Sequence, residues 1–337
     1  MAVPSAAAPR GRTGTILAVL AAALALVLLP FAAQALGQPA LVPLASRALI
    51  YGIAAASLNL ALGFGGMVSF GHAAFFGVGG YAVGILYQTY AGDGLFLGLI
   101  PGSNRLLVTV PAAMLTAGLA AALVGALSLR TSGVQFIMIT LAFAQMLFFL
   151  FVSLKAYGGD DGLIIRRRNV LLDLDMRDDA TFYFVCLAAA ALVFAALWRI
   201  AGSRFGLVLV GIRQSERRMA AIGVAPYPYK LAAFVLSGMG AGLAGALMAN
   251  LMRFVSPDML HWSKSGELMI MVILGGVGTL TGPFLGAAAL VVLESLLTRW
   301  TEHWPLALGA ILLVVVLFTH GGLRTLLARL GSGPRPR

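Results

Sequence analysis

Long apolar runs, broken by short polar stretches, set the pattern of this chain. A helix needs about 20 apolar residues to cross the hydrocarbon core of a bilayer. Runs of that character cover residues 15–36, 41–62, 72–90, 106–129, 134–153, 181–200, 230–251, 267–280, 281–297 and 304–319. The pattern predicts an all-α polytopic membrane protein with about ten transmembrane helices. The eighth and ninth runs are short and rich in glycine, which suits half-helices or a re-entrant pair. The first run follows a tail carrying Arg10 and Arg12, and Ala33–Gln34–Ala35 has the small-residue look of a signal-peptidase site. Its apolar stretch exceeds the 7–15 residues of an ordinary signal-peptide core. It is therefore expected to be a retained span.

Composition sharpens this reading. The strongly apolar residues make up 60% of the 337 and the charged ones 10%, where about a quarter is usual in soluble domains. So few charges cannot cover a soluble protein of this size, which excludes a soluble enzyme, a secreted disulfide scaffold and a disordered chain. Cys186 stands alone among apolar neighbours, so no internal disulfide is available. The net charge of +11 lies in short loops, where basic residues orient spans rather than bind nucleic acid. Residues 199–230 carry six basic residues against Glu216 alone, and the tail beyond Gly322 carries Arg324, Arg329, Arg335 and Arg337 with no acid. Both are expected in the cytoplasm. The connection 154–180 balances five basic residues with six aspartates and is expected to face outward. Both termini then lie inside, and an even number of spans follows. The expected organisation is a cytoplasmic tail over 1–14, a multi-pass transmembrane domain over 15–320 with a cytoplasmic loop at 201–229, and a basic cytoplasmic tail over 321–337.

Two glycine clusters interrupt apolar sequence: LGFGGMVSFGHAAFFG after the second run and LGGVGTLTGPFLG near the eighth. Paired interruptions in two halves of a chain point to an inverted repeat with a pathway near the midplane. Irregular backbone at membrane depth is tolerated only inside protein or beside water. Ser69 and His72, within the first cluster, are thus candidates for lining a pathway. Asn59, Thr140 and Gln145 join them as polar side chains on spans. The competing reading is that these groups simply bond neighbouring helices.

Few groups in the chain could do chemistry. Arg47, Glu267 and Glu294 lie in or at the ends of runs, and there is no series of carboxylates for proton relay. The lysines are Lys155, Lys230 and Lys264, and none follows a glycine as a phosphate-binding loop requires. The four histidines are scattered without metal-ligand spacing. Neither a catalytic site nor a metal or cofactor site is expected in this chain, and any ATP-driven work must come from another subunit.

The loop GSRFGLVLVGIRQSERRMAAIGVAPYPYK is the most informative polar stretch. Arg213, Glu216 and Arg217 stand at helical spacing and could form one charged face. Ala220, Ala221 and Gly223 form a small-residue turn, with Gly223 as helix stop and Pro226 and Pro228 beyond it. Such a segment could anchor in the interface or dock into a partner.

Five blocks in order resemble the M-type permease subunits of branched-chain amino acid ABC importers. They are SLNLALGFGGMVSFGHAAFFGVGGYA, GVQFIMITLAFAQM, GGDDGL, GIRQSERRMAAIGVAPYPYKLAAFVLSGMGAGLAGAL and FVSPDMLHWSKSGELMIMVILGGVGTLTGPFLGA. The resemblance implies two inverted, intertwined halves in the bacterial inner membrane and a second, H-type permease completing the pore. It also implies two cytoplasmic ATPase subunits that bind ATP and magnesium, and a periplasmic substrate-binding protein. The stretch 213–223 corresponds to the coupling helix, with Arg213, Glu216, Arg217, Ala220, Ala221 and Gly223 as candidate ATPase-coupling residues. Met219 takes the place where a strict coupling motif has glutamate. Urea, short amides or a sugar remain alternative cargoes, and a stand-alone channel or ion-coupled carrier is the alternative class.

Overall fold

A computed structural model describes residues 12–92, 95–96, 100–172, 174–300, 303, 306–310 and 313. The architecture is helical, with α1 at Arg12–Ala35, α2 at Leu41–Asn59 continuing into a π-helical turn at Leu60–Phe64, and α3 at His72–Ala91. A small hairpin, β1 (Leu95–Phe96) with β2 (Ile100–Pro101), leads to α4 (Leu106–Ser128) and α5 (Val134–Ser153). Strand β3 (Leu163–Ile164) precedes α6 (Asp179–Ala201), α7 (Arg204–Gln214), α8 (Glu216–Ala221) and α9 (Pro226–Met252). Strand β4 (Phe254–Val255) and a 3₁₀ turn at Pro257–Leu260 then lead into α10 (Trp262–Gly275) and α11 (Gly282–Leu297). The first nine apolar runs each coincide with one of these helices to within a few residues. The run 304–319, residues 1–11 and the tail 321–337 lie largely or wholly outside the described residues.

Among the described residues, five helices are long and apolar enough to cross a membrane: Leu41–Phe64, Leu106–Ser128, Val134–Ser153, Asp179–Ala201 and Pro226–Met252. The chain is an all-helical polytopic membrane protein. Helix α9 is its centre, packed against α2, α3 and α4. Small residues let it sit there. A Cβ on Gly79 of α3 would lie 2.2 Å from the carbonyl oxygen of Gly242 in α9, so the two backbones touch where these helices cross. On the outside, α4, α5 and α6 turn Leu119, Phe149 and Leu192 outward, each more than 60% exposed. Apolar side chains on that surface suit hydrocarbon or another apolar helix. Helix α1 packs on α2 and α6, where Ala33 is buried and the Tyr183 hydroxyl donates to the Leu26 carbonyl at 2.8 Å.

The 27 residues of α9 span about 40 Å at 1.5 Å per residue, and its two ends define two polar layers. At its start, Lys230 pairs with Glu216 of α8 at 2.5 Å. At its end, Asn250 accepts from the backbone N–H of Asn169 at 2.8 Å, and β4 pairs with β3. The loop 201–229 and the connection 154–180 are therefore at opposite ends of the bundle. The second of these layers is well ordered by its own bonds. Arg168 donates to Asp179 at 2.7 Å and lies over the Phe182 ring at 4.6 Å, while Asn169 Nδ2 donates to Thr109 at 2.8 Å.

Helices α10 and α11 have 14 and 16 residues, about 21 and 24 Å, which falls short of the roughly 30 Å hydrocarbon core. They pack antiparallel around the corner 276–281. The chain reaches α10 through the 3₁₀ turn that sits on α3, where a Cβ on Gly77 would collide with Leu260.

Candidate functional site

Helix α2 does not run on into α3. At its C-terminal end the π turn widens the helix, and residues 65–71 follow in largely irregular backbone before α3 starts at His72. Hydrogen bonds from α10 and α5 hold this break. Ser265 of α10 donates to the Phe70 carbonyl at 2.6 Å and accepts from the Ala73 N–H at 2.8 Å, satisfying one of the open donors at the start of α3. Thr140 of α5 accepts from the Phe70 N–H at 3.3 Å and donates to its own helix at Ile137, 2.9 Å away. Ser69 accepts from the Gly71 N–H at 3.1 Å.

His72 sits at the crossing of α2, α3 and α9. The Ser237 hydroxyl of α9 donates to the Ser57 carbonyl of α2 at 2.5 Å, which uses its single proton. The 2.7 Å contact between His72 Nε2 and Ser237 Oγ must then be donated by the imidazole. His72 thus carries its proton on Nε2, and Nδ1 is buried without a partner. Phe75 and Phe234 meet the ring edge-on at 5.5 and 5.4 Å. These bonds make His72 a strut between three helices.

The second glycine cluster, at the α10–α11 corner, meets the first through Asn59. Its Nδ2 donates to the Thr279 carbonyl at 2.7 Å, and its Oδ1 accepts from the Gly278 N–H at 2.9 Å. One amide side chain thereby clamps a backbone donor and a backbone acceptor of the corner. Gly63 leaves room for the clamp: a Cβ there would lie 2.1 Å from Asn59 Oδ1 and 2.6 Å from the Gly278 nitrogen. Asn59, Ser69, His72 and Thr140 are each no more than 2% exposed. The structure brings these four together around the α2–α3 break, and in this conformation they face protein. Gln145 is half-buried on α5, apart from this junction. Ser57, Ser237, Ser265 and Thr279 complete the junction. Their signal in sequence is only that of hydroxyls on apolar helices, which ordinarily bond across helix pairs.

The loop at the other face of this junction is two helices rather than one. Ser215 is extended (φ −162°, ψ 105°) and caps α8 by accepting from the Arg218 N–H at 3.3 Å. The break separates Arg213, on α7, from Glu216 and Arg217, on α8, so the three do not share one helical face. Glu216 is held by Lys230. Met219 folds back on α7, its sulfur 2.8 Å from where a Cβ on Gly211 would stand. An apolar side chain in place of glutamate therefore closes the α7–α8 corner. Arg217, Arg218, Ala220 and Ala221 are exposed, as is Ile222 at 72%. Gly223 ends α8 with φ +88° and has open space around it. Among the described residues no group of three or more histidine, cysteine or acidic side chains could hold a metal ion.

These glycine-broken helices and the polar corner belong to an all-helical polytopic membrane protein. The model of a family described as branched-chain amino acid transport system / permease component matches residues 40–319, and the chain belongs to that family. It is 28% identical over 306 residues to the high-affinity branched-chain amino acid transport system permease protein LivM of Escherichia coli (strain K12), covering 84% of this chain and 69% of the relative. LivM of Salmonella typhimurium is 26% identical over the same shares. The autoinducer 2 import system permease protein LsrC of Klebsiella pneumoniae subsp. pneumoniae is 31% identical over 146 residues, 41% of this chain and 42% of the relative. No solved structure matches.

Proposed function

We propose that this chain is the transmembrane permease subunit of an ABC importer that carries branched-chain amino acids inward across a bacterial inner membrane. The observation that carries the reading is the likeness to LivM over most of the chain. Its organisation fits: a second permease completes the pathway, two ATPase subunits bind and hydrolyse MgATP, and a periplasmic protein delivers cargo. The exposed corner formed by α8, Ile222 and Gly223 is the ATPase-docking surface, which puts the loop 201–229 and both termini in the cytoplasm. The connection 154–180 then faces the binding protein.

The α2–α3 break forms the inner part of the pathway, which opens when the Asn59 junction separates. Apolar walls and backbone amides suit a zwitterion with an aliphatic side chain, because no fixed counter-ion holds it. Specificity then belongs to the binding protein. Reconstitution tests this: ATP-dependent leucine, isoleucine or valine uptake that requires both the ATPases and the binding protein is expected. Calorimetry on the permease pair alone should find an affinity no better than millimolar, roughly −4 kcal/mol. The likeness to LsrC favours autoinducer 2 as the cargo of a second reading, and its uptake in place of leucine would select it.

A further inference from the structure

The cytoplasmic corner and both glycine-rich breaks meet at one side chain. Arg213, in the last turn of α7, sends its Nη1 to the carbonyl oxygen of Gly63. Within the π turn the Leu60, Leu62 and Ala61 carbonyls are already taken by the amides of Gly65, Gly66 and Met67. The Gly63 carbonyl is the next acceptor at the C-terminal end of this helix, where a cation is favoured. Arg213 supplies it from another element. Its stem lies on Gly66, where a Cβ would stand 2.8 Å from Arg213 Cγ and where φ is +69°. The same Nη1 is 3.4 Å from the position a Cβ would take on Gly278, the residue whose N–H Asn59 accepts. Among the described residues, this is the one side-chain hydrogen bond from α7 or α8 into either break.

We propose that Arg213 is a positioning residue that carries displacement of α7 and α8 to the Asn59 junction, bonding the α2 break and lying against the α10–α11 corner in this conformation and releasing them when the α7–α8 corner moves. Its side chain acts inward, on the permease, while the exposed face of α8 is left for the ATPase. Lysine reproduces its charge without its fork. The proposal rests on the permease reading for the source of the motion, but the tie itself can be measured without transport.

Hydrogen exchange on the full-length chain in detergent tests the tie. Arg213→Ala should speed exchange at the amides of 65–67 and 276–279 at least about tenfold while leaving α9 protected, and Arg213→Lys should recover part of that protection. In the reconstituted complex, Arg213→Ala should keep its ATPases and hydrolyse ATP within about twofold of wild type, yet lose leucine uptake at least about tenfold. Unchanged exchange at both breaks, uptake within twofold of wild type, no recovery with lysine, or loss of the ATPases from the complex would each overturn the proposal. If Arg213→Ala does not accumulate, Arg213→Gln, which keeps the stem over Gly66, takes the same measurements. Failure of wild type to take up leucine would instead reject the branched-chain amino acid reading, and the exchange measurement would still judge the tie.

Discussion

Gly278 donates its backbone N–H to Asn59 Oδ1 at 2.9 Å across 219 residues of sequence. With the reciprocal bond from Asn59 Nδ2 to Thr279, it makes the corner between α10 and α11 part of the α2 break. Leucine at position 59 fits the volume of the site but leaves one part-buried donor and one part-buried acceptor unpaired. Each such group costs about 1–3 kcal/mol. Asn59→Leu should therefore lower the melting temperature in detergent and abolish uptake. A variant with wild-type melting and wild-type uptake would show that the clamp is dispensable.

The contact of α3 with α9 leaves no room for a methyl group. Gly79→Ala puts a Cβ 2.2 Å from the Gly242 carbonyl, and overpacking of this kind costs about 1–3 kcal/mol. Gly92→Ala is the matched control, because φ there is −99° and the nearest atom is the Gln88 carbonyl at 3.5 Å. Thermal melts should separate the two variants clearly, with Gly92→Ala close to wild type.

Gly223 presents the opposite case. Nothing lies within 4 Å of a Cβ there, but φ is +88°, a region that a β-branched residue avoids. Gly223→Val should re-aim the end of α8 without disturbing the packed helices. The expected result is normal insertion with ATP hydrolysis uncoupled from uptake. Full transport by Gly223→Val would remove the corner's shape from the mechanism.

Asp178 caps α6 by accepting from the Thr181 N–H and hydroxyl, each at 3.0 Å. The hydrogen bond from the Thr181 backbone, above all, holds its carboxyl below the usual 3.8. A folded-state pKa lowered in this way adds stability above the unfolded-state value, and that stability disappears as pH falls through the folded-state value. Asp178→Ala should cost about 1 kcal/mol near neutrality, and its deficit relative to wild type should shrink below about pH 4. Asp178→Asn keeps an acceptor and should melt near wild type at neutral pH. Melting curves across pH provide the measurement.

The runs of apolar residues were enough to locate nine helices, because hydrocarbon demands a continuous apolar stretch and internally bonded backbone whatever the neighbours do. Glycine clusters marked where those helices break, since residues without a Cβ permit both positive φ and close approach. The clustered arginines picked out the loop 201–229, whose place opposite the connection 154–180 the course of α9 agrees with.

What the local pattern could not carry was partnership. The helical spacing of Arg213, Glu216 and Arg217 suited one charged face, until Ser215 broke the helix and sent Arg213 to Gly63 and Glu216 to Lys230. His72 read equally well as a pathway group and as a strut, and only the proton of Ser237, already given to Ser57, decided its bond. Asn59 has the same side chain in either role. The composition of the chain determined that it is a helical membrane protein with interrupted spans, because burial in lipid acts residue by residue. The tertiary structure alone decided which polar atoms meet, because a hydrogen bond of about 3 Å depends on how helices hundreds of residues apart are brought together.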